Sequence, residues 1–175
     1  MIGASDAETL QRAKDGDGRA FERLIAPVLD PAFRLAMTML NDRSAAEDAV
    51  QEAALKAWRK FGGFRAGSEM RPWFLAIVAN ECRNTRRGRW WNVLRLARAP
   101  ERGAAESDVA ARVDLDAALE RLPPHHLLVL SLYYHLDMPI SEVAKVLGCS
   151  EGAARQRVHR ALAVLRPGLA LEGEP

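Results

Sequence analysis

Cysteine is scarce in this chain: Cys82 and Cys149 are the only two in 175 residues. Two thiols cannot build a disulfide scaffold or a four-cysteine zinc site. Long apolar runs are also missing. The longest, Leu127 to Leu136, falls far short of the ~20 residues that a membrane-spanning helix needs. The first residues, Met1 to Leu10, lack a basic segment followed by an apolar stretch, so no secretory signal is expected. Net charge is nearly absent, with 25 Lys and Arg against 23 Asp and Glu, and that balance alone points to no partner. No run alternates as a strand does, and there is neither an internal repeat nor a low-complexity segment. These absences predict a cytoplasmic protein.

What is present is a 49% apolar composition, enough for one ordinary domain or two small ones. Lysine accounts for only four of the bases and arginine for 21. Arginine is the side chain suited to bidentate contacts with phosphates and base edges. Its distribution therefore matters more than the total.

Helical spacing dominates. Ser5 with Glu8 and Ser44 with Glu47 match capping boxes, and Asp30-Pro31 reads as a cap followed by a first-turn proline. Apolar faces follow: Phe33, Ala36, Met37 and Leu40, then Val50, Ala54, Ala57, Trp58 and Phe61, with Gly62-Gly63 as a stop. A further helix from Pro72 would bury Phe74, Ile77, Val78 and Cys82. From Gly88 to about Val113 no apolar stripe persists, which reads as a linker. Spacing resumes at Leu115, Ala118, Leu119 and Leu122, breaks at Pro123-Pro124, and continues as an apolar helix from Leu127. Two short helices, Ile140–Leu147 and Glu151–Leu165, close the chain. The expected fold is all-α: a helical domain over 1–88, a flexible linker over 89–113, a second domain over 114–168 containing a helix-turn-helix, and a tail over 169–175.

The closing pair carries the most specific local signal. Gly148-Cys149-Ser150 is a tight turn in which Gly148 can adopt the left-handed backbone and Ser150 can cap the next helix. One face of that helix is apolar. The other holds Gly152, Arg155, Gln156, His159 and Arg160, with Arg157 to the side and suited to phosphate. This is the pattern of a recognition helix, where Arg reads guanine and Gln reads adenine. In the first domain, Asn80, Arg83, Asn84 and Arg87 form a polar, basic strip opposite the buried one, and no acid occurs from Cys82 to Pro100. Such a run attracts a nucleic-acid backbone regardless of sequence. The preceding loop, Phe64 to Arg71, could hold an unstacked base between polar groups and an aromatic wall. Acids gather instead at the start of the Ser44–Phe61 helix, suiting either the helix dipole or a protein partner.

Three other functions fit less well. A conventional repressor explains the last helices but leaves the first domain and the linker without a task. An enzyme or zinc protein lacks support, since the histidines have no ligand spacing and Cys82 falls on a buried stripe. A helical adaptor leaves the arginine run unexplained. Tandem Trp90-Trp91 suits stacking on nucleic acid or anchoring against a partner.

Taken in order, several motifs resemble bacterial RNA polymerase sigma factors of the small extracytoplasmic-function class, in the sigma-70 family. They are Ala46-Glu47-Asp48-Ala49-Val50-Gln51-Glu52 with Ala57-Trp58; Phe64-Arg65 through Pro72-Trp73-Phe74-Leu75 to Ala79-Asn80; Leu122-Pro123-Pro124; Glu142-Val143-Ala144; and Gly152-Ala153-Ala154-Arg155-Gln156-Arg157. The resemblance implies a transcription initiation factor without catalytic residues, cofactor or metal. It would bind RNA polymerase core and direct it to promoters. By this resemblance Asp48, Gln51, Glu52 and Leu55 grip the clamp helices of the largest subunit. Phe64, Arg65 and Ser68 belong to the loop that captures a flipped base of the minus-ten element during melting. Asn80, Arg83, Asn84 and Arg87 meet the upstream edge of that element. Gly152, Arg155, Gln156, Arg157, His159 and Arg160 read the minus-thirty-five element as duplex. The Leu127–Tyr133 helix belongs to the domain that docks on the polymerase flap, and an anti-sigma factor is a further expected partner.

Overall fold

The computed structural model describes residues 4–95, 119 and 121–165, with side chains of 4–6 and 88–95 left aside. Its helices are α1 (Ala4–Lys14), α2 (Gly18–Leu40), α3 (Arg43–Lys60), a short 3-10 turn (Phe61–Gly63) and α4 (Met70–Arg95). After these come α5 (Pro124–Leu130), continuing into one π-helical stretch (Ser131–His135), then α6 (Ile140–Leu147) and α7 (Glu151–Leu165). The expected sites of the linker beyond Arg95, of Leu115 and Ala118, and of the tail lie outside the described residues.

The first four helices form one bundle. Asp17 caps α2, its carboxylate accepting from the amides of Arg19 and Ala20 at 3.0 and 3.1 Å and from the Arg12 guanidinium at the end of α1. The expected helix start at Asp30-Pro31 is absent. A single helix runs through both Pro27 and Pro31, burying Phe21, Ile25, Val28, Ala32, Leu35, Ala36 and Met39 along one unbroken stripe. Each interior proline costs a backbone hydrogen bond and about 3 kcal/mol. The continuous buried face offsets that loss. Its end is sharp: Asn41, left-handed at φ 48°, donates its amide to Met37.

Helix α3 also starts earlier than the capping box at Ser44 implied. Asp42 is the cap, accepting from Ala45 at 2.8 Å, while Glu47 pairs with Arg43 at 2.9 Å. Ser5 likewise falls inside α1. The buried stripe of α3 is mostly alanine, at 45, 46, 49, 53 and 57, which lets α2 and α4 approach closely. One polar tie crosses this contact: Lys56 reaches the buried Glu81 of α4 at 2.6 Å and Glu52 at 3.3 Å. Phe21, Trp58, Phe61, Phe64 and Trp73 fill one end of the bundle with ring centroids 4.9–5.9 Å apart.

Helix α4 extends past the domain edge drawn at residue 88. Gly88 lies within it, and Trp90 and Trp91 are helical rather than part of a linker. A glycine inside a helix costs about 1 kcal/mol. Arginine, at 83, 86, 87 and 89 around it, is a strong helix former and favours continuation of the helix.

The second unit packs α5, α6 and α7 around Leu128, Leu132, Met138, Val143, Ala154 and Val158. The π-helical register is set by buried Ser131: its hydroxyl donates to Leu127 at 2.7 Å, and its carbonyl accepts from Leu136 at 2.9 Å. The two units are not separated. Helices α5 and α6 and the π stretch rest on α2 and α4, so that the described chain forms one contiguous core.

Candidate nucleic-acid and polymerase interfaces

The helix-turn-helix forms as its residues require. Gly148 takes φ +61° and ψ 41°, its amide bonding to Lys145 at 3.3 Å and that of Cys149 to Ala144 at 3.0 Å. These two bonds are a Schellman motif, which ends α6 without orphaning its last carbonyls. Ser150 then caps α7, its hydroxyl accepting from Ala153 at 3.2 Å. Ala154, Val158, Ala161 and Leu165 point inward. Gly152, Arg155, Gln156, Arg157, His159 and Arg160 are all exposed. The basic face is thus preformed on a helix whose opposite side is fixed by the core. Arg155 and His159 also rim a cleft walled by Tyr133, Met138 and Leu162, a feature that helical spacing alone does not reveal.

On α4 the strip from residue 80 to 87 stands clear of the bundle. Asn80, Arg83, Asn84 and Arg87 are exposed, whereas Arg86, one position round, turns inward and donates to the carbonyl of Met39 at 3.1 Å. Before α4 the loop makes a tight turn. Gly67 adopts φ +84°, and the amide of Ser68 bonds to Arg65 at 3.1 Å. A side chain at Gly67 would strain that backbone. Arg65 and Ser68 are exposed on it.

Phe64 departs from the expected arrangement. It is 5% exposed, stacked on Phe61 with planes 6° apart and packed edge-on to Trp73. The ring anchors the loop from beneath and offers no open wall to an unstacked base. Its aromatic identity alone could not separate these roles.

The face of α3 holds Asp48, Gln51 and Leu55 in the open, with Glu52 half-buried beside Lys56. Leu55 is 45% exposed, an apolar side chain left uncovered amid polar ones. Cys82 is fully buried, and burial pushes its thiol up to about 12. A thiol so buried and protonated is a core side chain. Among the described residues no helix is long and apolar enough to cross a membrane.

Fold and faces together define a helical protein of two units, one carrying a helix-turn-helix and the other a basic helix beside a tight glycine turn. Two family models match it: Sigma-70 region 2 over residues 24–92 and Sigma-70, region 4 over residues 118–167. The chain is 31% identical to the ECF RNA polymerase sigma factor SigM of Mycobacterium tuberculosis, over 92% of this chain and 83% of that protein. It is 27% identical to the RNA polymerase sigma-H factor of Pseudomonas aeruginosa, over 89% of each. Among solved structures, CnrH in complex with the cytosolic domain of CnrY superposes with a TM-score of 0.72 at 27% identity, covering 97% of this chain and 99% of that one. The sigma factor RpoE of Bartonella quintana, in complex with the anti-sigma factor NepR, gives 0.70 at 25% identity, covering 87% and 98%. The chain belongs to the sigma-70 family, as a sigma factor of the extracytoplasmic-function class. Its role is therefore promoter-directed transcription initiation, which is not an enzymatic activity.

Proposed function

We propose that the chain binds RNA polymerase core through α3 and reads two promoter elements through separate faces. Asp48, Gln51, Glu52 and Leu55 contact the clamp helices, and the unit of α5 to α7 docks on the flap. Arg155, Gln156, His159 and Arg160 read the minus-thirty-five duplex, with Gly152 and Arg157 against its backbone. Asn80, Arg83, Asn84 and Arg87 follow the upstream edge of the minus-ten element. The Arg65–Ser68 turn receives a base extruded on melting, with Phe64 as its support. The work takes place in the cytoplasm, where the polymerase is. Because the sigma factor RpoE is solved in complex with the anti-sigma factor NepR, and CnrH in complex with the cytosolic domain of CnrY, an anti-sigma protein is proposed here as well.

The single observation that carries this reading is the exposed, acid-free face of α7 above a Schellman turn. Extruding a base costs a few kcal/mol, which neighbouring basic contacts to the strand offset. The test is transcription by sigma-free core on a genomic fragment library, with and without the chain. New start sites sharing two upstream motifs are the expected result. Tight duplex binding without core and no new starts would instead support a repressor.

A further inference from the structure

The cleft beside α7 is an apolar trough left open on the helix proposed to read duplex DNA. Buried Met138 and Val158 and half-buried Tyr133 and Leu162 form its floor, and it encloses about 690 Å³. That is room for a small ligand or a few side chains. Arg155 and His159 rim it from α7, and Asp137 is the one carboxylate lining it among the described residues. Anything that fills the trough sits against two residues of the duplex-reading face.

The trough is ordered along the helix. Leu162 lies within one turn of the helix end at Leu165, Val158 and His159 lie a turn further back, and Arg155 a turn beyond them. A chain that leaves α7 and doubles back therefore meets an apolar stretch first and the rim cation after it. The sequence beyond Leu165, outside the described residues, runs in the same order. Pro167-Gly168 is a turn signal, Leu169 and Leu171 follow, and Glu172 and Glu174 come next. The reach also fits. Arg155 is about 15 Å from Leu165 at 1.5 Å per residue, and the seven residues from 166 to 172 extend to about 23–25 Å. The surplus allows the reversal.

We propose that the segment from Pro167 to Glu174 folds back into this cleft and competes with duplex DNA for Arg155 and His159. In an extended chain alternate side chains share a side. Leu169 and Leu171 then face the floor, while Glu172 and Glu174 face the other way, toward the rim. The acids outnumber Asp137's claim on the same cations. The inference rests on the proposed role of α7, and it makes this segment a brake on minus-thirty-five reading.

Two measurements on the full chain test it. With p-benzoylphenylalanine in place of Leu171, illumination should attach the segment to Tyr133, Met138 or Leu162 of the same chain, read by mass spectrometry. Excess random-sequence duplex should suppress that product. The double variant Leu169→Ser with Leu171→Ser leaves the charge unchanged and lies outside the folded core. Its affinity for the same duplex should rise about threefold, as when a segment docked two-thirds of the time is released. Absence of a product in the cleft, or products only between two chains, overturns the docking. A product that duplex leaves undiminished, or unchanged affinity in the serine variant, overturns the competition. Should no form of the chain bind duplex, the reading of α7 fails, while the crosslink still decides whether the segment occupies the cleft.

Discussion

Gly152 separates the stability of α7 from its contact with DNA. It is the second residue of the helix, its φ is not positive, and a Cβ built there meets nothing within 4 Å. Nothing in the folded chain therefore requires glycine. Gly152→Ala should stabilise the fold by about 0.5 kcal/mol, less than the full interior difference because the site is near the helix end. For a chain of this size that is a rise of roughly 1–2 °C in melting temperature. DNA affinity should move the other way. If the helix start approaches a phosphate or base edge, the added methyl group holds it off, and a loss of at least about fivefold is expected, equivalent to about 1 kcal/mol. The assays are a thermal melt and a titration of a minus-thirty-five duplex with holoenzyme. Affinity unchanged, or rising with stability, would refute the close approach. Gly148→Ala is the control: its φ of +61° with open space around it makes the cost purely one of backbone, roughly 1 kcal/mol of stability.

Other outcomes follow from the same geometry. Arg155→Ala should cost about 1–3 kcal/mol at one promoter position and relax its specificity, measured by binding to a panel of substituted duplexes. An equal loss on every duplex would make Arg155 a phosphate contact. Asp48→Ala with Gln51→Ala should weaken core binding in a pull-down while leaving helicity by circular dichroism intact. A thiol reagent at pH 8 should label Cys149 promptly and Cys82 only after unfolding, since a thiol near 12 is about one part in ten thousand ionised there. The hydrogen bond that Lys56 donates to Glu81 raises its ammonium pKa above the usual 10.5. Its contribution is fully present below that value and lost as pH rises through the raised one. Lys56→Met should therefore flatten the alkaline limb of a stability–pH curve, and an unchanged limb would remove the assignment.

How much of this was legible in the sequence depended on how local each signal is. The helix-turn-helix was read to the residue, because Gly148, Ser150 and the inward stripe of α7 each act within one or two turns of chain. The strip on α4 was legible for the same reason. Helix starts were less so. Asp30-Pro31 and Ser44 are sound caps locally, but the stripe through Val28 and Ala32 and the carboxylate of Asp42 outweighed them. Phe64 could not be placed, since an aromatic in a loop suits a base or a core equally until Phe61 and Trp73 are located around it. The packing of α6 on the loop had no signature at all. Glu69, Arg71, Glu142 and Lys145 are ordinary charged residues whose pairing exists only once two distant segments meet.

That meeting changes what the connection between the units must do. A flexible chain as long as the 25-residue linker expected over 89–113 would have a typical span of about 28 Å and a fully extended reach of about 85–90 Å. The two promoter elements, about two duplex turns apart, are separated by about 70 Å. A promoter-bound arrangement would use much of that length, less whatever the domains themselves cover. Stretching lowers the effective concentration at which the second element is met, so two weak faces on this chain cannot by themselves read a promoter tightly. Binding to core, by holding both units apart in advance, would remove that entropic loss, and duplex recognition would become bivalent only in the holoenzyme.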